Sequence, residues 1–182
     1  MGCHVRAPRI SWNYLGECQA CSPLLIIMNA GFVLLGVLTI AGILLTRAIW
    51  PRRRLTSVGL ALAVVSGLGG LLAGIFPANV NLGAYIFGSI LNLLAASVGI
   101  LLLGLGVRKQ NGRLAAWSIA LGLTTIVGLA LSSNHIFLGI GPGAMERVIG
   151  YPSVVWAIGL GAALLVNARR TILESDTEAQ RL

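Results

Sequence analysis

Long apolar runs separated by short arginine-rich or glycine-rich connections dominate the sequence, and no carboxylate occurs between Glu17 and Glu146. Lipid hydrocarbon is about 30 Å thick, so a spanning helix needs roughly 20 apolar residues. Five runs satisfy this length. They predict helices over about residues 24–46, 55–76, 84–106, 115–132 and 152–168. The pattern therefore predicts an all-α integral membrane bundle with five transmembrane helices.

Composition supports the membrane interpretation and narrows the partners. The chain has 182 residues, of which 57% are hydrophobic and 10% are charged, and its mean hydropathy is +0.90. A water-soluble domain has no core large enough for so much apolar sequence. The net charge is +8, but the basic residues lie beside apolar runs, which favours anionic lipid headgroups over nucleic acid. We expect one transmembrane domain over residues 1–182, with a polar segment 1–22 and a tail 169–182.

The distribution of arginine and lysine predicts how the bundle is oriented, because cytoplasmic loops retain basic residues. We expect the connections after the first and third helices, and the end of the fifth, to be cytoplasmic. The amino terminus and the connections 77–83 and 132–152 would then be extracytoplasmic, in a multi-pass protein of the cell membrane. The residues of the predicted cytoplasmic side are Arg47, Arg52, Arg53, Arg54, Arg108, Lys109, Arg113, Arg169, Arg170 and Arg181.

Small residues predict where the helices touch, since lipid tails compete with leucine and association needs close backbone approach. The second helix carries Gly67, Gly70 and Gly74 at helical spacing. We expect these glycines to form its contact surface.

The connection before the fifth helix is the main candidate for function. It brings His135, Glu146 and Arg147 together in sequence, with three glycines between the histidine and the acid. On a helix, Glu146 and Arg147 point about 100° apart, so each needs a different partner. One interpretation is structural, with Glu146 hydrogen-bonded and Arg147 at the headgroups. Two others are a lipid or ligand site and an acid–base catalytic site.

Two amides in the apolar runs need partners, because an unsatisfied side chain is costly in lipid. Asn29 lies early in the first helix and Asn92 near the middle of the third. Interhelical hydrogen bonds are one explanation. The other is a cavity shared with Tyr85, Ser89 and Trp156, in which the amides orient a ligand headgroup.

Cys18 and Cys21 have the spacing of a redox pair just before the first helix. An oxidising compartment would permit a disulfide between them. A quinone-linked thiol oxidoreductase would need a second pair, and only Cys3 remains. No metal site and no cofactor are indicated.

Three segments together resemble the multi-pass membrane family catalogued as domain of unknown function 998. They are Asn13-Tyr14-Leu15-Gly16 with the Met28-Asn29-Ala30-Gly31-Phe32 stretch, Gly74-Ile75-Phe76-Pro77, and Gly143-Ala144-Met145-Glu146-Arg147 with Trp156. The resemblance covers nearly the whole chain and implies a six-helix bundle. Here the first span of the family pattern is missing. Either the true start lies upstream, or the bundle is shorter and exposes a groove that a second copy or a membrane partner fills.

Glu146 and Arg147 match the family pattern, so the resemblance implies that they belong to any shared site. Other polar positions depart from that pattern. Ser-Asp before Leu-Gly is replaced by Asn13-Tyr14, and the histidine after Phe-Pro is absent from residues 80–84. No activity follows from the family.

Three functions remain open. The preferred one is a non-enzymatic bundle whose extracytoplasmic pocket, bounded by Glu146, Arg147, His135 and Asn29, binds a lipid, another apolar molecule or a membrane partner. The alternative is an intramembrane enzyme acting on a lipid or isoprenoid, with Glu146 as acid or base and His135 and Glu17 as further candidates. Such an enzyme needs a carboxyl group with a perturbed pKa in a dry site. A transporter comes last, because the spans lack charges to line a route.

Overall fold

Five long helices make up the fold in a computed structural model, which describes residues 25–78 and 80–179, with side chains over 26–78 and 80–169. They are α1 (Leu25–Thr46), α2 (Arg54–Ile75), α3 (Leu82–Val107), α4 (Gly112–Ser133) and α5 (Pro142–Ala179). A single 3₁₀ turn, Arg47–Ile49, follows α1. All five helices are long and apolar enough to cross a membrane, so the predicted all-α, five-helix membrane architecture is confirmed.

Short connections make successive helices antiparallel and give the bundle two unlike ends. The connections 47–53 and 108–111 lie at one end together with Arg169, and we call this the basic end. The connections 76–81 and 134–141 lie at the other, the loop end. Asparagine side chains cap the N-termini of α3 and α4, which follow tight turns. Asn81 Oδ1 accepts from the Ala84 N–H at 3.1 Å, and Asn111 Oδ1 accepts from the Leu114 N–H at 3.0 Å.

Helix α5 begins ten residues before the predicted start and continues to Ala179. The apolar run predicted a helix over about 152–168, whereas in the structure Pro152 lies inside the helix. Pro152 has no N–H, so the Val148 carbonyl loses its intrahelical donor. Hydroxyl groups donate to the next two carbonyls. Thr125 Oγ1 donates to Ile149 O at 3.2 Å and Ser153 Oγ to Gly150 O at 2.9 Å. Both bonds lie beside the proline, and the one from Thr125 joins α4 to α5 there.

Close backbone contacts at glycine hold the helices in chain order, with α1 on α2, α2 on α3, α3 on α4 and α4 on α5. A Cβ built on Gly67 would lie 2.9 Å from the Gly36 carbonyl oxygen, and one on Gly69 would lie 2.7 Å from that of Gly88. Gly74 faces α1 in the same way, 2.8 Å from the carbonyl of Asn29. The predicted contact role of the α2 glycines is confirmed, and it explains how the bundle packs without a hydrophobic driving force.

The most buried cluster lies toward the basic end, where α5 also contacts α3. Trp50 and Trp156 stack there with ring centroids 6.3 Å apart and planes at 25°. The Trp156 indole N–H donates to Ser118 Oγ at 2.8 Å, which links α5 to α4. The cluster consists of Trp50, Ile100, Leu103, Val107, Ala115 and Trp156. It fixes α5 near one end and leaves the α4–α5 pair to open at the other.

Candidate functional site

The turn after α4 holds His135 in a conformation that usually belongs to glycine. His135 has φ of 57°. Its N–H donates to Ser132 O at 3.0 Å, and the Ile136 N–H donates to Leu131 O at 2.9 Å. This pair of bonds is the Schellman motif, in which the residue after the helix cap is left-handed. A histidine there costs about 1 kcal/mol relative to glycine. Its backbone ends α4, and its exposed ring is free to face the surface.

The same connection contains three more left-handed residues. Leu138, Gly139 and Gly141 have φ of 49°, 78° and 80°. The Ile140 N–H donates to Phe137 O at 3.0 Å, which closes a tight turn around Leu138 and Gly139. Leucine is uncommon in this region of backbone space. The turn brings the side chains of Leu138 and Ile140 over the gap between α4 and α5.

That gap is an apolar groove of about 410 Å³ at the loop end, which we call the loop-end groove. Gly128 on α4 contributes to it, and Met145 and Val148 on α5 form the opposite wall. Leu138 and Ile140 cover one end. The lining residues are Leu123, Thr124, Val127, Gly128, Leu131, Leu138, Ile140, Met145 and Val148. Its volume falls within the range of small-molecule sites, about 300–1,000 Å³.

The lining of the loop-end groove favours apolar groups over polar ones. The single hydroxyl among its lining residues, on Thr124, already donates to the Ala120 carbonyl at 2.9 Å. No charged side chain lines the walls. An inserted polar group would therefore lose its hydrogen bonds to water without replacement, which is costly. An acyl or isoprenoid chain has no such groups to lose.

The predicted polar residues do not line this groove. Glu146 and Arg147 are exposed and lie in sequence between two lining residues, Met145 and Val148, but the rotation of about 100° per residue turns both toward the other side of α5. Within the described part of the chain, neither side chain makes an ion pair. An exposed carboxyl group differs from the dry one that acid–base catalysis requires. The geometry instead leaves Arg147 available to an anionic headgroup.

The two predicted amides, Asn29 and Asn92, lie on α1 and α3, which contribute no residue to the loop-end groove. Asn92 accepts a hydrogen bond from Ser66 Oγ at 2.9 Å, so α3 and α2 are joined by a polar pair in the middle of the bundle. This is the interhelical hydrogen bond that the sequence offered as one explanation. Asn29 lies on α1, where its carbonyl faces Gly74, and it does not line the loop-end groove.

Trp156 also lies apart from the predicted site residues Glu146 and Arg147. It lies ten residues after Glu146 on α5, which corresponds to about 15 Å along the helix. Its partners are Ser118 and Trp50 in the buried cluster. The structure therefore groups His135 with the α5 residues Glu146 and Arg147 at the loop end, and it leaves Trp156 as a packing residue of the basic end.

Three of the predicted site residues lie outside the part of the chain that the structure describes. Cys18, Cys21 and Glu17 lie outside the described residues. Among those that are described, no three His, Cys, Asp or Glu side chains are close enough to hold a metal ion.

The groove-lining residues Val127 and Met145 were missed because they resemble lipid-facing residues in sequence. Gly128 marks a close contact of α4 with α5 at the edge of the groove, because a Cβ there would lie 2.9 Å from Ile149 Cγ1.

Comparison with known proteins supports the family resemblance. A model of the family described as "Protein of unknown function (DUF998)" matches residues 15–163, more than four fifths of the chain. Neither a search of curated proteins nor a search of solved structures gave a match. The match spans α1 to α4, the loop-end groove and the part of α5 that carries Glu146, Arg147 and Trp156. The chain therefore belongs to the DUF998 family of membrane proteins.

Proposed function

We propose that this protein is a non-enzymatic membrane protein that binds a lipid, or another molecule with a long apolar chain, in the loop-end groove. The groove itself carries this proposal, because its size and apolar lining fit part of such a chain. The groove opens between two helices long enough to span the bilayer. A lipid would thus enter from the membrane without crossing water.

The loop end supplies the second half of the proposed ligand's chemistry. Arg147 is exposed and precedes the lining residue Val148 in sequence, and the His135 ring lies on the turn that leads to the covering residues Leu138 and Ile140. A guanidinium group pairs readily with a phosphate or carboxylate. We infer an amphiphile whose chain occupies the groove and whose anionic or polar head lies against Arg147.

We further propose that the loop end is extracytoplasmic and the basic end cytoplasmic, in the cell membrane. Eight of the basic residues with described side chains belong to the basic end, whereas Arg147 belongs to the loop end. Retention of lysine and arginine in the cytoplasm supports this orientation. The proposed ligand would then come from the outer leaflet.

Binding is better supported than catalysis or transport. The exposure of Glu146 leaves the groove without an acid or base of its own. The polar pair Ser66–Asn92 is uncharged and already hydrogen-bonded between helices. Ion and charged-solute routes normally contain intramembrane charges, and no charged side chain lies in the interior of the described spans.

The proposal is tested by lipid extraction and mass spectrometry of the purified protein. Val127→Trp fills the loop-end groove, and Val58→Trp is its matched control. The two valines are 54% and 50% exposed, and Val58 lies on α2, away from the groove. We expect a defined lipid to copurify with the parent and Val58→Trp but not with Val127→Trp. Equal lipid content in all three proteins would refute binding in the groove.

A further inference from the structure

A second groove lies at the basic end and has a different chemistry. Its volume is about 230 Å³, and it lies between the connection 47–53, the turn after α3 and the outer part of α5. We call it the basic-end groove. Its lining residues are Ile49, Trp50, Pro51, Val107, Gln110, Asn111, Leu114, Leu160, Ala163, Leu164 and Asn167. It shares no residue with the loop-end groove.

The floor of the basic-end groove is rigid and apolar. Trp50 is 7% exposed and stacks on Trp156, and Leu114 and Leu160 pack against the same buried cluster. A volume below about 300 Å³ is small for a whole ligand. The groove therefore suits one segment of a chain whose remainder lies along the bundle in lipid.

Polar side chains and the first N–H groups of α4 lie at the mouth of the groove. Gln110 and Asn111 lie on the turn before α4. Asn111 Oδ1 is occupied by the Leu114 N–H at 3.0 Å, and Asn111 O by the Ala115 N–H at 3.0 Å. The N–H groups of Gly112 and Arg113 are the first two of a 22-residue helix and have no carbonyl four residues earlier within it. They favour an anion, as helix N-termini do.

Basic residues alternate with the lining residues around this mouth. Arg52 follows Pro51, and Arg108 and Lys109 lie between Val107 and Gln110. Among the side chains that the structure describes, the sole carboxylate is Glu146, at the opposite end. Beyond Asn167, the next acidic residue of α5 is Glu174, seven residues or about 10 Å further along the helix. Among the described side chains, the charge at the mouth is therefore positive.

We propose that the basic-end groove binds an anionic phospholipid, with part of one acyl chain against Leu114 and Leu160 and the phosphate at the Gln110–Gly112 turn. The apolar floor selects an amphiphile over a free anion, and the cations select an anionic headgroup over a zwitterionic one. Basic pockets between spanning helices recognise acidic lipids through this combination. The site is independent of the proposed function and stands whether or not the loop-end groove holds a ligand.

The test is native mass spectrometry of the detergent-solubilised protein with chain-matched phosphatidylglycerol and phosphatidylcholine. Neighbouring alanines provide the variants, since Ala162 and Ala163 are both exposed on α5 and only Ala163 lines the groove. We expect the parent and Ala162→Trp to retain one phosphatidylglycerol in preference to phosphatidylcholine, and Ala163→Trp to lose that preference. Equal behaviour of the two variants, or no preference in the parent, overturns the proposal.

A charge variant keeps the test independent of groove filling. Arg108 and Lys109 are exposed, so replacing both by glutamine leaves the packing intact. Each cation near a membrane surface contributes about fivefold to acidic-lipid affinity, so the double variant should bind phosphatidylglycerol about 30-fold more weakly. Binding of phosphatidylcholine should stay unchanged, and Arg108→Lys should retain the preference. An equal loss for both lipids would contradict a headgroup contact at this turn.

Discussion

Substitution of Gly69 by alanine tests the close packing of α2 on α3. A Cβ at this position would lie 2.7 Å from the Gly88 carbonyl oxygen and 2.6 Å from the Asn92 nitrogen. Both are backbone atoms of α3, which cannot turn aside as a side chain can. Ordinary contact begins near 3.4 Å, so α2 and α3 would have to separate by about 0.7 Å. Gly69 is thus a position where no larger residue fits without moving a helix.

The expected cost follows from two opposing effects. Overpacking a close contact costs about 1–3 kcal/mol, whereas alanine favours the helix over glycine by up to about 1 kcal/mol. We expect Gly69→Ala to lower the free energy of unfolding by about 1–2 kcal/mol. Gly42 is the control, because a Cβ there meets no atom within 4 Å. Gly42→Ala should be neutral or raise stability by up to about 1 kcal/mol.

The assay is reversible unfolding in mixed micelles of dodecyl maltoside and dodecyl sulfate, followed by tryptophan fluorescence. The stacked pair Trp50 and Trp156 reports loss of the buried cluster. The two variants should differ in sign relative to the parent. If Gly69→Ala is as stable as Gly42→Ala, then α2 and α3 do not approach at glycine and the packing described above is wrong.

Three further variants test single features by the same unfolding assay. His135→Gly relieves the left-handed histidine and should raise stability by up to about 1 kcal/mol; a decrease would mean that contacts of the ring outweigh the backbone cost. Thr125→Val removes the donor to Ile149 O and should cost about 0.6–1.7 kcal/mol. An unchanged free energy of unfolding would contradict a stabilising hydrogen bond between α4 and α5 at this position. Thr56→Val replaces a buried hydroxyl that has no hydrogen-bond partner, so stability should be unchanged or higher; a marked loss would reveal an overlooked partner of Thr56.

Hydropathy alone located the membrane spans, because the bilayer thickness fixes the length of apolar sequence that each helix needs. The first four helices agree with their predicted ends to within three residues. The fifth begins ten residues before its predicted start, because the helix continues through Pro152. Its contacts with α4, such as the hydrogen bond from Thr125 to Ile149 O, depend on a neighbouring helix, which a local pattern does not contain.

The candidate site was only partly predictable. The sequence pointed to His135, Glu146 and Arg147 because they are the rare polar residues near one connection, and all three are exposed at the loop end without lining the groove. The walls were not predictable, since Val127 facing a groove and Val58 facing lipid are the same residue in similar apolar runs. Trp156 could be recognised as unusual, but its partners depend on how α4 and α5 align.

Binding of a lipid chain in the loop-end groove is tested most directly by photo-crosslinking in the native membrane. A benzophenone amino acid replaces Val127 in one protein and Val58 in another, and intact-mass spectrometry follows irradiation of cells. We predict one defined lipid adduct at residue 127, and at residue 58 a mixture that reflects the bulk phospholipids. The same adducts at both positions would contradict a binding site between α4 and α5.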